Sequence, residues 1–291
     1  MAEKQKRVLL LLTNHTYRAP AFLAAAERLD IEMVQAVDMP PQLAAQRSVD
    51  LGLDYQDVDS TMAIITQFAQ TQPFDAILAV DDSGSLLAAR ASAALGLPHN
   101  DPAAAEAARN KFKMRQMLCQ SDILSPRFYR FSTTDDVVAV AAQVDYPCVV
   151  KPLALSGSRG VMRVDHPAAL NTAVARLAAI LDKVEPGPHH YLVEDFIPGV
   201  EVALEGMMVD GRLTLLALFD KPDPLDGPFF EETIYITPSR LPENVQTAIA
   251  DCTTQAAAAL GLRTGPIHAE LRWNDAGPWL VEIAGRSIGG L

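Results

Sequence analysis

Hydrophobic and polar positions divide the chain into two textures. Near the start, RVLLLLT is followed by an Ala-rich amphipathic run from Ala19, then IEMVQAV, a helical pattern near residues 61–71, and DAILAVDD. This succession predicts a βαβ series on a parallel sheet. LGLPHNDP punctuates its end, and Asp101-Pro102 predicts the N-cap and first turn of a helix running to about Cys119. From Ser125 the pattern changes to strands with longer connections: RFYRFS, YPCVVKPL, GVMRV, YLVEDFI, EVALEGMMV, RLTLLALF and TIYITPS, with helices at 167–182 and 242–260. That second half reads as α+β. The boundary gives domains at 1–104 and 105–291, with no repeat and no low-complexity linker.

The last predicted strands form a hairpin. In IHAELRWNDAGPWLVEIAGR the turn formers NDAGP separate two apolar runs. Pairing Trp273 with Trp279 sets Glu270 opposite Glu282. Alternation then puts His268, Glu270, Arg272 and Glu282 on one face, and Ile267, Leu271, Val281 and Ile283 on the other. Facing carboxylates repel, so a positive group is expected between them. One candidate is a hard divalent cation, which takes oxygen ligands; the other is neutralisation by Arg272 or Arg286.

Composition narrows the class. A chain of 291 residues, 49% hydrophobic, can bury a sizeable core. A net charge of -12 argues against broad attraction to nucleic acid or an anionic membrane. Cys119, Cys148 and Cys252 are far apart and form neither a zinc motif nor a disulfide framework, which fits reduced cytoplasm. The run VLLLL is too short for a signal-peptide core, and no stretch approaches the length of a membrane span.

Anion chemistry enters with YPCVVKPLALSGSRGV. An apolar strand delivers Lys151 to a small-residue loop, Ser156 to Gly160, in which Gly157 and Gly160 let amides turn toward an anion and Ser156 and Ser158 add hydroxyls. Such loops are also simple hairpins, and neither a Walker A motif nor a dinucleotide fingerprint is present. Lys111, toward the middle of its predicted helix with Arg115 four residues on, reads by itself as a solvated lysine. Glu194 and Glu201, either side of a Pro-Gly turn, each read alone as an edge-strand charge. His268 either touches phosphate or metal or is a satisfied structural donor. Asp81 and Asp82 lie where open α/β sheets expose strand ends, and capping the next helix explains them equally well.

Lys111, Lys151 with SGSRG, VEDFIPGVE, HAELR and VEIAGR, in that order over about residues 105–286, resemble the ATP-grasp superfamily. The preceding βαβ unit resembles its Rossmann-like preATP-grasp domain. FDKPDPLDGPFFEETIYITPS resembles, more narrowly, carboxylate-amine ligases related to L-amino-acid ligases. The resemblance implies ATP and Mg²⁺ (or Mn²⁺) as cofactors, and amide formation between small carboxylate and amine substrates, amino acids in this subgroup, through an acyl phosphate. It implies Lys111 and Lys151 at the ATP phosphates under a lid of Ser156, Gly157, Ser158 and Gly160. It further implies adenine at the backbone of Glu194, Asp195, Phe196 and Ile197, and ribose at Glu201. Glu270 and Glu282 would be metal ligands, Arg286 would sit beside the transferred phosphate, and Glu232 would meet a substrate ammonium, with Glu231 as the alternative. Ala284 stands where many relatives carry a metal-binding Asn. RSIGGL ends the chain where relatives usually continue for about another hundred residues, so the ATP-grasp fold is read as truncated at its C-terminus. Two other readings follow: a catalytically weak ATP-binding module, and a carboxylase of the biotin carboxylase type, against which FEETIY argues because bicarbonate has no ammonium. Oligomeric state stays open, with a homodimer among the options.

Overall fold

The structure, a computed structural model, describes residues 5–289. Two compact units divide between Glu106 and Ala107, with Gly261–Thr264 belonging to the first.

The first unit contains β1 (Lys6–Leu12), α1 (Ala19–Arg28), β2 (Ile31–Asp38), α2 (Pro41–Gln46), β3 (Leu51–Leu53), α3 (Val58–Thr71), β4 (Ala76–Ala79) and α4 (Asp82–Leu95). Its parallel sheet has the order β3-β2-β1-β4. The unbroken run VLLLL is explained by the central place of β1. Leu9 and Leu11 pack into one core with Ile65 and Leu87, and Leu10 and Leu12 into another with Val37 and Met39. Asp81 occupies the N-cap position of α4, but its carboxylate accepts from the Thr13 hydroxyl at 3.0 Å and caps no helix amide.

The long helix predicted from Asp101 is two. α5 (Pro102–Ala107) stops and α6 (Lys111–Leu118) restarts at Asn110, whose side chain accepts from the amides of Phe112 and Lys113. Lys111 is therefore the first residue of a helix rather than a mid-helix lysine, and it is buried. The second unit continues with β5 (Phe128–Ser132), α7 (Val137–Ala141), β6 (Cys148–Pro152), β7 (Met162–Val164), α8 (Pro167–Leu181), β8 (His190–Asp195), β9 (Val200–Val209), β10 (Arg212–Asp220), α9 (Glu243–Leu260), β11 (Gly265–Asn274) and β12 (Gly277–Ala284).

These strands make two sheets, β5-β8-β6-β7 and β10-β9-β11-β12. In the first, Cys148, Val150, Tyr191 and Val193 pack on α8 residues Leu170 and Leu177, so alternation turns Lys151 and Glu194 to the opposite face. Glu194 on β8 and Glu201 on β9 lie on central strands and are buried, which corrects the reading of each as an edge-strand charge. In the second, Val202, Leu204, Ile267, Ala269, Leu271 and Ile283 are buried, as are Val245, Ile249 and Ala256 of α9. TIYITPS is not a strand: Ile236 makes a single bridge to Asp220 within an irregular segment.

The hairpin register differs from expectation at its turn. Arg272 pairs with Trp279 and Leu271 with Leu280, one residue off the predicted register, and a bulge after Glu270 restores Glu270 to Glu282. Leu280, fully buried, takes the place across from Leu271 that alternation had given to Val281. Arg115 sits at the bulge. Its guanidinium donates to the Leu280 carbonyl at 2.8 Å and the Val281 carbonyl at 2.9 Å, satisfying both oxygens where the ladder slips.

Candidate active site

The register of β9, β10 and β11 stacks charge on one face. Glu201 lies across from Arg272, Ala203 from Glu270 and Glu205 from His268, while Phe219 pairs with Ala203 on the other side. Small Ala203 sits beside Glu270 in the middle of this ladder, and Lys221, just past the end of β10, brings its ammonium to the acids. Nζ donates to Glu201 Oε1 at 2.8 Å, to Glu270 Oε1 at 3.0 Å and to Glu232. The Lys221 side chain is 1% exposed. Burial opposes its charge, but Glu270, Glu201 and Glu232 outweigh that and raise its pKa well above the ordinary lysine range.

Around this ammonium the carboxylate oxygens of Glu201, Glu232 and Glu270 lie within 4.8 Å of one another. Burial works to raise the Glu270 pKa, yet the hydrogen bond from His268 and the charge of Lys221 hold it below the usual carboxylate range. His268 Nδ1 donates to Glu205 Oε1 at 2.5 Å, and Nε2 lies 3.5 Å from Glu270 Oε1. Burial would lower the imidazole, but these acids raise it to about 9, so it is a cation at neutral pH. Burial and the neighbouring Glu270 push Glu232 upward, against Lys221, while the Tyr235 hydroxyl donates to its second oxygen. Glu231 is exposed.

Glu201 is engaged on both oxygens, by Lys221 and by Arg272 Nε at 2.9 Å. Arg272, expected as a neutraliser of the hairpin acids, instead donates to the Ile197 carbonyl at 2.7 Å and to the Leu225 carbonyl, binding the turn after β8 to the segment after β10. Glu201, Glu205, Glu232 and Glu270 thus face Lys221, Arg272 and protonated His268. On this face four carboxyl groups meet three basic side chains.

A second cluster is net positive. Glu194 takes a bidentate pair from Arg115, Nε at 2.6 Å and the terminal nitrogen at 3.1 Å, and also pairs with Lys151. Burial acts to raise the Glu194 carboxyl, but Arg115 and Lys151 bring it down to about 2. Burial lowers Lys151. Lys111 Nζ donates to Glu282 Oε1 at 3.1 Å and to the Leu155 carbonyl at 3.0 Å. So three cations face two carboxylates here.

The loop after Lys151 forms a turn at 157–160. Gly157, Ser158 and Gly160 have φ of 64°, 50° and 80°, a conformation glycine adopts at least cost. A Cβ on Gly160 would lie 2.9 Å from Leu177 Cδ1, whereas Gly157 and Ser156 are exposed. In the stretch expected at adenine, the Asp195 amide donates to Arg127, the Phe196 amide to Pro147, and Arg163 stacks 4.3 Å over the Phe196 ring. Phe196, Arg163 and Lys221 line a cleft of about 390 Å³.

The sequence-predicted residues therefore fall into groups. Glu201, Glu232, Glu270 and His268 meet around Lys221. Glu282 is held by Lys111, so the predicted metal pair shares a ladder position while each acid has its own cation. Arg286 follows β12 and donates to the Ser287 carbonyl at 3.0 Å. Lys221, Arg115, Glu205 and Tyr235 were not assigned from sequence. Glu205 had a signal, since it follows Glu201 by four on one strand and so shares its face.

Comparison with known proteins agrees with this architecture. The ATP-grasp domain family matches residues 144–291 and the ATP-grasp N-terminal domain family residues 23–99. Alanine–anticapsin ligase of Bacillus subtilis is 28% identical over 221 residues, covering 69% of this chain and 46% of that protein. Dapdiamide A synthase of Enterobacter agglomerans is 26% identical over 263 residues, covering 88% and 61%. The crystal structure of L-amino acid ligase from Bacillus licheniformis superposes with a TM-score of 0.79 at 29% identity, over 99% of this chain and 68% of that one. The chain thus spans about half to three-fifths of these two curated relatives. With a Rossmann-like unit ahead of two sheets that carry paired lysines and acids, this chain belongs to the ATP-grasp family and resembles its L-amino-acid ligases.

Proposed function

We propose that this chain carries the nucleotide and metal machinery of an ATP-dependent carboxylate-amine ligase that joins amino acids. The observation that supports the reading best is the separation of charge. On the acidic face, the carboxylate oxygens of Glu201, Glu232 and Glu270, within 4.8 Å of one another, suit a hard divalent cation. A cluster with more cations than acids, beside the loop from Ser156 to Gly160, suits polyphosphate.

In this reading Glu270, with Glu282 or with Glu201 and Glu232, holds Mg²⁺ (or Mn²⁺), which when bound neutralises phosphate charge. Lys111 and Lys151 bind ATP phosphates, and the turn of Ser156, Gly157, Ser158 and Gly160 covers them. Backbone groups of the stretch from Glu194 to Ile197 read adenine, while the Glu194 side chain is held by Arg115 and Lys151. Glu201 accepts from ribose while keeping Arg272. Phosphoryl transfer asks mainly for positioning and charge neutralisation. A substrate carboxylate oxygen attacks the γ-phosphorus and ADP leaves, with Arg286 beside the transferred group. The amine nitrogen then attacks the acyl carbon, and the C–O electron pair departs with phosphate as the nitrogen loses its proton. Glu232, turned into the cluster where Glu231 is not, receives a substrate ammonium.

The acyl phosphate has a direct test. An amino acid labelled with ¹⁸O in its carboxylate must deliver one ¹⁸O to the released phosphate; product formed with unlabelled phosphate overturns the step. Ala284 favours a second reading, an ATP-binding module without turnover, which Mg-ATP binding with no amino-acid-dependent phosphate release would select.

A further inference from the structure

Glu205 has no part in the reaction as set out above, yet it holds a neighbour of Glu270 and a backbone amide two residues past Arg286. It faces His268 across β9 and β11, its side chain is 12% exposed, and its two oxygens serve different neighbours. Oε1 accepts from His268 Nδ1 at 2.5 Å, and Oε2 accepts from the Ile288 backbone amide at 3.0 Å. β12 ends at Ala284, which itself pairs with His268. Arg286 therefore lies midway along a four-residue span between the last ladder position and the amide held by Glu205.

That span leaves the sheet, and ordering its residues costs conformational entropy. A hydrogen bond from an amide to a charged acceptor is among the stronger ones and offsets part of this. On its other side, the same carboxylate orients an imidazole whose Nε2 is 3.5 Å from Glu270 Oε1, the oxygen bound by Lys221. One side chain thus bonds both the backbone just past Arg286 and the imidazole beside Glu270.

We propose that Glu205 is a positioning residue that fixes Arg286 and Glu270 in one relation by holding the Ile288 amide and the His268 imidazole on separate oxygens. Its effect on rate rests on the ligase reading, while the pinning of Ile288 does not. The test uses the full chain with Glu205→Ala, which removes both acceptors, and Glu205→Gln, nearly isosteric but with one acceptor oxygen, which serves if the alanine variant does not fold. Amide exchange is measured at Ile288, and amino-acid-dependent phosphate release is measured in each variant with and without Arg286→Ala. We expect Ile288 exchange to rise about tenfold or more while Ala269 and Leu271 are unchanged, and kcat to fall about tenfold with KM for ATP within about twofold. We also expect the double variant with Arg286→Ala to lose less than the product of the two single losses, because only the arm through His268 to Glu270 is left to lose once the arginine is gone. Unchanged exchange at Ile288 overturns the pinning, and a loss that multiplies with that of Arg286→Ala overturns action through the arginine. If the wild-type chain releases no phosphate with any amino acid, the ligase reading falls and the exchange comparison alone decides the role of Glu205.

Discussion

Lys221→Met removes the one ammonium shared by Glu201, Glu232 and Glu270 while keeping most of the apolar stem. Two carboxylates with oxygens within 4.8 Å of one another repel by at least about 3.5 kcal/mol at an effective dielectric of 20. Three such repulsions exceed what the fold can bear, so the cluster would take up protons, first at Glu232, already raised by burial and by Glu270. After that relaxation, breaking a buried ion pair from one side costs about 3–5 kcal/mol. The sign with pH follows. Without Lys221, folded-state carboxyls titrate above their unfolded value, so the variant's stability is retained below that value and lost as pH rises through the folded one. Urea denaturation read by the fluorescence of Trp273 and Trp279, repeated from pH 5 to pH 8, should show the deficit relative to wild type growing with pH. A deficit under about 1 kcal/mol at pH 8, or one independent of pH, would refute the account of this cluster.

Other outcomes follow from the same geometry. Glu194→Gln strands Arg115 and Lys151 and should cost about 3–5 kcal/mol in denaturant. In the wild-type protein the contribution of this carboxylate is full above about pH 4.5 and is lost as pH falls toward about 2, which an acid titration of stability would show. Gly160→Ala, forced to φ 80° against Leu177, should destabilise by about 1–3 kcal/mol. Gly157→Ala, with open space around its Cβ, should lose less, and equal losses in thermal melts would contradict the packing argument.

The sequence made legible what short-range patterns control. Alternation and apolar runs located the parallel sheet, the hairpin and the helices at α8 and α9, and the order of lysines and acids pointed to the family. What it hid depends on distance. Lys221 reads as a polar residue after a strand; its meaning comes from acids 20, 11 and 49 residues away. Arg115 stood in the sequence only as a cation four residues after Lys111, because nothing local reveals that its guanidinium reaches Glu194 and the β12 carbonyls. The break at Asn110 was readable as an N-cap, but the Ala-rich helix ahead of it masked the restart. The hairpin acids came out opposite each other although the turn pairing was off by one, because the bulge, invisible to alternation, corrected it.

The proposed turnover of ATP by the acidic face and the lysine cluster in response to amino acids is tested by phosphate release from Mg-ATP with and without pooled amino acids, run beside Glu270→Gln and Glu282→Gln chains shown to be folded. The account predicts amino-acid-dependent release with condensed masses in the wild-type reaction and loss of turnover in both variants. Near-normal turnover in both variants would contradict it.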